Sequence, residues 1–302
     1  MSSMSTKTKV FLGFGVYILI TIIIVAATGW HRTSNDAFQP QNEFKLDTYF
    51  SIGPFDVNKA VLYVLAAAIL TCATMIWVSR RMQAKPNRVQ TAVEIVFNLM
   101  RDNITRGSMD DRMAAKWFPF IATLFFFIAF SNLIGYLPLP TNSAETINIF
   151  GLEIPALSIY AATANISFPL ILTLVVWITY HVEGVRSHGL FGFLKSYLPA
   201  GLENMNPIGK GLIYVIELLS DFMRLVSLSV RLFANLLAGH LLLLFMGGGL
   251  AVLLGIAALG ALTFPLAFVF FVLEVGLIAT LQAFIFATLS AIYIGGAIAE
   301  SH

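Results

Sequence analysis

The sequence predicts an all-α protein, a polytopic helical membrane protein that also carries an amphipathic surface helix. Three observations predict it. Of the 302 residues, 58% are hydrophobic and only 11% are charged, and the mean hydropathy is +0.83. One water-soluble core could not hide that much apolar surface. The apolar residues also fall in runs long enough to cross a bilayer. Finally, the charges that interrupt one of those runs recur at helical spacing.

The elements follow in chain order. Lys7 and Lys9 precede an apolar run, Val10 to Gly29, that is long enough to span a bilayer. Its basic start and the small residues Val25-Ala26-Ala27 also suit a cleaved leader. Residues 1–30 are therefore an extra transmembrane helix or a leader, and residues 31–302 a single membrane domain. Residues 31–59, with Pro40, Gly53 and Pro54, read as an extramembrane loop. Ala60 to Val78 is the next span, closed by Arg80 and Arg81 with Trp77 at the interface. Within the basic stretch 80–116, Val89, Val93, Val96, Phe97, Met100 and Ile104 recur at helical spacing. Gln90, Thr91, Glu94, Asn98, Arg101 and Asp102 take the other side. Such a helix lies in the membrane surface or docks a partner.

Trp117 to Pro138 is a Phe-rich span, and residues 139–163 form a loop without Lys or Arg. Ala164 to His181 is a span that Pro169 can kink. Residues 183–210 form a loop with Arg186, Lys195 and Lys210. Two long apolar segments close the chain. One begins at Gly209; the other runs from about Pro265 to Ile298, beyond the glycines 247–249. Thirteen Lys and Arg lie in residues 1–9, 80–116 and 183–210, against three in the opposite loops. The first group is expected on the cytoplasmic side.

The segment Gly209 to Phe245 carries Glu217, Asp221, Arg224, Arg231 and His240 without a proline. A charge near the bilayer centre costs about 2.5–3.5 kcal/mol on insertion scales, so such groups mark function. At about 100° per residue, Glu217, Asp221, Arg224, Arg231 and Asn235 share one stripe, interrupted by Leu228 and flanked by Ser220 and Ser227. Asp221 and Arg224 are close enough to pair. A salt-bridge cluster of Glu217, Asp221 and Arg224 and a hydrated proton passage are both open readings. Arg231 has no acid three or four residues away, and an arginine cannot shed its proton. Its counter-charge must come from another segment or another chain. His240 points roughly opposite Arg231. On the last segment, Glu274 and Gln282 stand out, and His240 with Glu274 could form a proton-handling pair.

Other chemistries lack their signatures. Cys72 is the single cysteine and cannot form an internal disulfide. No metal-ligand spacing, Gly-rich phosphate loop or basic stripe for nucleic acid is present, and no cofactor is expected. A self-contained secondary transporter would show internal repeats, and the chain halves show none. A membrane-embedded enzyme could use His240 and Glu274, but no nucleophile accompanies them.

The run Ser227-Leu-Ser-Val-Arg231-Leu-Phe-Ala-Asn235-Leu-Leu-Ala-Gly-His240 resembles subunit a of the rotary F-type ATP synthase. Leu281-Gln-Ala-Phe-Ile-Phe-Ala-Thr-Leu-Ser-Ala-Ile-Tyr293-Ile resembles that family's last helix, and Asn132-Leu-Ile-Gly-Tyr-Leu-Pro138 and Gln90-Thr-Ala-Val-Glu94 fit as well. The resemblance covers about residues 45–300. It implies that the two long C-terminal helices form a tilted, membrane-embedded hairpin. It also implies partners: a ring of small proteolipid subunits, the peripheral-stalk b subunits, the lipid bilayer and protons. The implied location is the bacterial cytoplasmic membrane, with the mitochondrial inner membrane as the alternative. The subunit would not be an enzyme on its own, but a proton-channel part of the complex. Arg231 would stand between two offset half-channels. Asn235, His240, Glu274 and Gln282 would line the extracytoplasmic one; Glu217, with Ser227 and Asp221, would serve the cytoplasmic one.

Two departures matter. Glu274 precedes Gln282 by eight residues, where the family spaces that pair by seven. The extra residue turns the side chain by about 100° unless a π-bulge absorbs it. Gly135 stands where some members carry an acid.

Overall fold

The computed structural model describes residues 15–17, 19–20, 23, 45–46, 48–53, 55–83, 86–149, 152–198, 206–249 and 257–299. The expected first span, Val10 to Gly29, and the end of the chain at Glu300 to His302 therefore lie largely outside the described residues. Five of the described helical segments are long and apolar enough to cross a membrane. The chain separates into two compact units. One comprises Leu46–Leu139, Ile159–Leu237 and Ile278–His302; the other comprises Met1–Lys45, Pro140–Ser158 and Ala238–Leu277.

The larger unit opens with a short antiparallel hairpin, β1 (Thr48–Ile52) and β2 (Phe55–Asn58), inside the predicted loop. Helix α1 (Lys59–Arg81) follows. Asn58 caps it, its side chain accepting from the Val61 amide at 3.1 Å. Lys59 is buried, its ammonium 4.8 Å over the ring of Tyr160. Burial pushes the Tyr160 hydroxyl up to about 12, so it stays protonated.

Helix α2 (Arg88–Asn98) is the predicted amphipathic helix, capped by Asn87. It continues as a π turn, Leu99–Thr105, and the short α3, Arg106–Ser108. Met100 and Ile104 are buried, as the periodicity predicts, whereas Ile95 is 63% exposed. Gln90 does not belong to the polar face. It is buried and bonds the Gln83 backbone at 3.0 Å and Glu94 at 2.6 Å.

Helix α4 (Asp111–Ile134), capped by Asp110, packs against α1 and against the last helix, α8 (Ala279–Ile298). The sequence explains how α8 approaches so closely. Ala279, Ala283, Ala287, Ala291 and Gly295 recur every four residues, and all are buried. In lipid, such small residues let helix backbones meet. A β-carbon at Gly295 would overlap the Ser108 carbonyl, which ties this end of α8 to the segment 80–116. Asn132 Nδ2 donates to the Ala279 carbonyl at 3.0 Å. Gly135 has no room for a side chain: a β-carbon there would come within 2.7 Å of Ala161 Cα. Any larger side chain at that position would have to displace Ala161.

Helix α5 (Ser167–Ser196) corrects two expectations. Pro169 sits in its first turn, where a missing N–H is harmless, and causes no kink. The bend is at Gly189, with φ +70°, a left-handed conformation that glycine adopts freely. Helix also continues to Ser196, through residues expected to be loop. Lys116 on α4 pairs with the buried Glu183 on α5. Helix α6 (Pro207–Leu244) is the polar-seam segment, unbroken over 38 residues.

In the smaller unit, β3 (Leu139–Ile149) and β4 (Leu152–Ser158) form a two-stranded sheet within the predicted loop. The end of α6 runs into a π turn, Phe245–Gly249, which packs against α7 (Ala257–Leu273). A second π turn, Glu274–Ile278, joins α7 to α8.

Candidate functional site

The seam of α6 does not behave as one stripe. Its lower turns turn inward. Asp221 is buried, and its carboxyl group accepts from Tyr180 Oη at 2.7 Å and Trp177 Nε1 at 3.1 Å, both on α5. His181 Nε2 lies 3.3 Å from Asp221 Oδ2. The expected pairing with Arg224 is present but long, at 3.8 Å. The Arg224 guanidinium also stands 5.7 Å from the Tyr293 ring on α8. Glu217 makes no ion pair with either residue among those described, so the cluster is not the three-residue salt bridge that spacing allowed.

Glu217, Asp221 and Arg224 instead share a cavity of about 410 Å³, closed by Tyr180, Tyr197 and Tyr293 among others. That volume holds several waters, and Glu217, Asp221, Arg224 and the tyrosine hydroxyls offer them polar partners on a wall that also includes Phe193 and Ile292. A second crevice, too tight for a water molecule, shares Tyr180, Arg224 and Tyr293 with the cavity and is also lined by Trp177, Leu225 and Leu228. Leu228 is one helical turn from Arg231. The cavity opens between the end of α5 and the end of α8, the side to which Ser108 is tied.

The next turns of α6 face outward. Ser227, Arg231 and Asn235 are exposed, while Leu228, Leu232 and Leu236 on the opposite side are buried. Arg231 makes no hydrogen bond or ion pair among the described residues. Small residues flank it: Ala234 and Ala238 are exposed on the same face.

The remaining candidates are buried. His240 is 4% exposed, and Glu274 and Gln282 6% each. In the smaller unit, the Glu274 carboxyl group lies against Gly239, the residue before His240, where a β-carbon would overlap it. The π turn begins at Glu274 itself. An i→i+5 turn takes up one additional residue. The eight-residue spacing to Gln282 is thus accompanied by the bulge that can absorb it.

Trp177, Tyr180, His181, Tyr197 and Tyr293 were not identified from sequence. They stand on three other segments, and aromatic residues near a span end read as interface anchors. A weak signal existed in α5: Trp177, Tyr180 and His181 lie three or four residues apart, so they share a face.

The profile of the family described as ATP synthase A chain matches residues 61–295. Among similar proteins, ATP synthase subunit a of Rubrobacter xylanophilus is 33% identical over 238 residues, covering 79% of this chain and 83% of its own length. The subunit a of Paramagnetospirillum magneticum is 33% identical over 271 residues, 86% of this chain and 98% of its own. That of Maricaulis maris is 32% identical over 279 residues, 87% of this chain and 98% of its own. With a span-rich helical fold, an open arginine on a long polar-seamed helix and matches that run through both, the chain belongs to the ATP synthase A chain family.

Proposed function

We propose that this subunit is the proton-translocating stator element of a rotary ATP synthase, and that the cavity beside Glu217, Asp221 and Arg224 is its cytoplasmic-side half-channel. The observation that carries the reading is the contrast around Arg231. A permanent positive charge sits on an exposed face, without an acid of its own chain among the described residues, one turn beyond a tight crevice that shares Tyr180, Arg224 and Tyr293 with the cavity beside Asp221. A ring of small proteolipid subunits, each with a membrane carboxyl group, fits that face. The flanking alanines allow close approach.

In this mechanism Arg231 favours the ionised ring carboxylate as it passes. The proton leaves through the cavity, with Glu217 and Asp221 as acceptors and Ser227 at the threshold. Asn235, His240, Glu274 and Gln282 serve the opposite half-channel, which loads the next ring site. Arg231 also bars direct passage between the two routes. Each proton crossing 100 mV carries about 2.3 kcal/mol, and a leak would dissipate it. The b subunits of the peripheral stalk hold the subunit still, and the bacterial cytoplasmic membrane is the proposed location.

The test is Arg231→Ala in the assembled complex. ATP-driven proton pumping into inverted vesicles is expected to vanish while the complex still assembles. Normal pumping would remove Arg231 from this role. Glu274→Gln is expected to slow pumping and shift its pH dependence, and an unchanged profile would leave Glu274 structural.

A further inference from the structure

We propose that His181, a residue outside the motifs that define the family resemblance, is a proton-relay group of the cytoplasmic-side cavity, reached through Tyr197 and positioned by Asp221. The inference rests on the half-channel reading above and names a further carrier within it.

The geometry assigns the two ring nitrogens different tasks. Nδ1 lies 2.8 Å from the Trp177 carbonyl, which can only accept, so Nδ1 keeps its proton. Nε2 is then the nitrogen that loads and unloads. It faces the Tyr197 hydroxyl at 3.1 Å and Asp221 Oδ2 at 3.3 Å. Both Tyr197 and Asp221 line the cavity, whereas His181 stands behind them. The Tyr197 hydroxyl is therefore the link between cavity water and the imidazole.

The step balances simply. When His181 is neutral, Tyr197 donates its hydroxyl hydrogen bond to Nε2. Tyr197 can pass that proton to Nε2 as its oxygen receives another from cavity water. The imidazole becomes imidazolium, the phenol is restored, and Nε2–H then points to Asp221. The reverse order returns the proton. No strained or charged phenolate needs to persist.

The surrounding charges oppose each other. Asp221 on α6 favours the imidazolium. Arg224, 3.8 Å from Asp221, disfavours it. Glu217 faces the same cavity from α6. From α5 come Tyr180 and Trp177, both bonded to Asp221, and Glu183, committed to Lys116 and Arg186. Phe193 packs on the imidazole edge-on at 5.4 Å, Tyr214 lies against Tyr197, and Tyr293 of α8 lies against Tyr180. The arrangement places the imidazole one hydrogen bond behind the cavity wall, with Tyr197 as its link to cavity water.

The experiment measures the initial rate of ATP-driven proton pumping by the whole complex in inverted vesicles. The outer, cytoplasmic-facing pH is varied between about 5 and 8, the range over which histidine changes charge, at one fixed lumenal pH. The readout is the ratio of variant to wild-type rate. For His181→Gln the ratio is expected to fall severalfold at acid pH, where the imidazole can load, and to approach one at alkaline pH. Tyr197→Phe should reproduce that profile, because it keeps the ring and cuts the link. Asp221→Asn should move the midpoint of the wild-type profile to lower pH, and Arg224→Gln to higher pH. A ratio for His181→Gln that is flat across pH would mean that the imidazole only braces α5, and would overturn the relay. A wild-type profile in Tyr197→Phe would overturn its route. Arg231→Ala in the same vesicles separates the two levels: pumping that survives it sinks the half-channel reading, whereas its loss beside a flat His181→Gln ratio sinks the relay alone.

Discussion

Two stretches of one helix, three turns apart, treat charge in opposite ways. At Asp221, α6 buries a carboxyl group and surrounds it with donors from α5. At Arg231, it exposes a guanidinium that no described acid answers. Burying a charge without partners costs several kcal/mol, so a buried charge is answered within its own chain or not tolerated. An exposed charge at membrane depth has the same problem and needs the same solution from outside. The contrast teaches where the chain ends as a self-sufficient object. Asp221 is answered by donors of α5, and Arg231 by no acid among the described residues.

The sharpest way to break that contrast is to answer Arg231 artificially. Ser227→Glu places an acid one turn below it, at i−4, where the side chains meet. The new carboxylate competes with any external one. About 1.4 kcal/mol of competing attraction shifts an equilibrium tenfold, and a pair away from water exceeds that. Proton pumping is expected to drop at least about tenfold by this arithmetic, with assembly intact. Ser227→Gln, of the same size and uncharged, should lose far less. Equal losses in the two variants would mean that crowding, not charge, sets the effect.

The complementary change removes the Asp221 carboxyl group. In Asp221→Ala, the Tyr180 hydroxyl and the Trp177 indole N–H lose their acceptor. Leaving the buried Tyr180 hydroxyl unsatisfied costs about 1–3 kcal/mol, and the half-buried Trp177 N–H adds less. The subunit is expected to be less heat-stable by a few kcal/mol in total, read as earlier thermal loss of the complex in detergent. Arg231→Ala should leave that thermal stability unchanged, because the exposed guanidinium stabilises nothing within the chain. A stability loss in Arg231→Ala equal to that in Asp221→Ala would erase the contrast.

Much of this was legible in the sequence, and the reason is the membrane itself. Apolar runs of spanning length located α1, α4, α5 and the two long C-terminal segments, because lipid leaves a chain few alternatives. Arg231 stood out because no acid sits at helical spacing from it. What the sequence did not show was which side of the seam turns inward. Glu217, Asp221, Arg224 and Asn235 lie within a narrow arc, and α5 and α8 decide which part of it is covered. The partners of Asp221 come from residues 177, 180 and 181, some forty positions away, and nothing local announces them. The Gly189 bend was equally hidden, since residues 183–210 read as a loop, where a glycine announces no bend within a helix. The π turn at Glu274 was the instructive case. A one-residue excess over the family spacing predicted either a misplaced side chain or a bulge, and the backbone shows the bulge.

A smaller effect sharpens the comparison inside the second unit. Gly239 leaves a gap that the Glu274 carboxyl group fills. Gly239→Ala should push that group aside, costing about 1–3 kcal/mol as overpacking does and slowing pumping severalfold. In a Glu274→Ala background the same substitution should cost little stability, since the obstructing atoms are gone. A cost that persists in that background would show that α6 itself, not Glu274, rejects the methyl group.

The smallest effect comes from charges outside the bilayer, where water does the answering. Asp102 is held below the usual carboxylate range, chiefly by its hydrogen bonds with Arg101 at 3.0 and 3.2 Å, with Arg106 adding a third at 3.0 Å. A lowered folded-state value means that the stabilisation is present above the unfolded value and is lost as pH falls through the folded one. The π turn Leu99–Thr105 and the residues after it should therefore loosen only below about pH 4, near where a free aspartate titrates. Hydrogen exchange over residues 99–108 reads this directly. The loosening should be slight, because exposed pairs contribute little and salt screens them. Asp102→Asn should abolish the acid-dependent part while leaving exchange around the buried Asp221 untouched. Acid loosening of equal size at both carboxylates would mean that burial does not distinguish them, and the contrast that separates Asp221 from Arg231 would lose its physical basis.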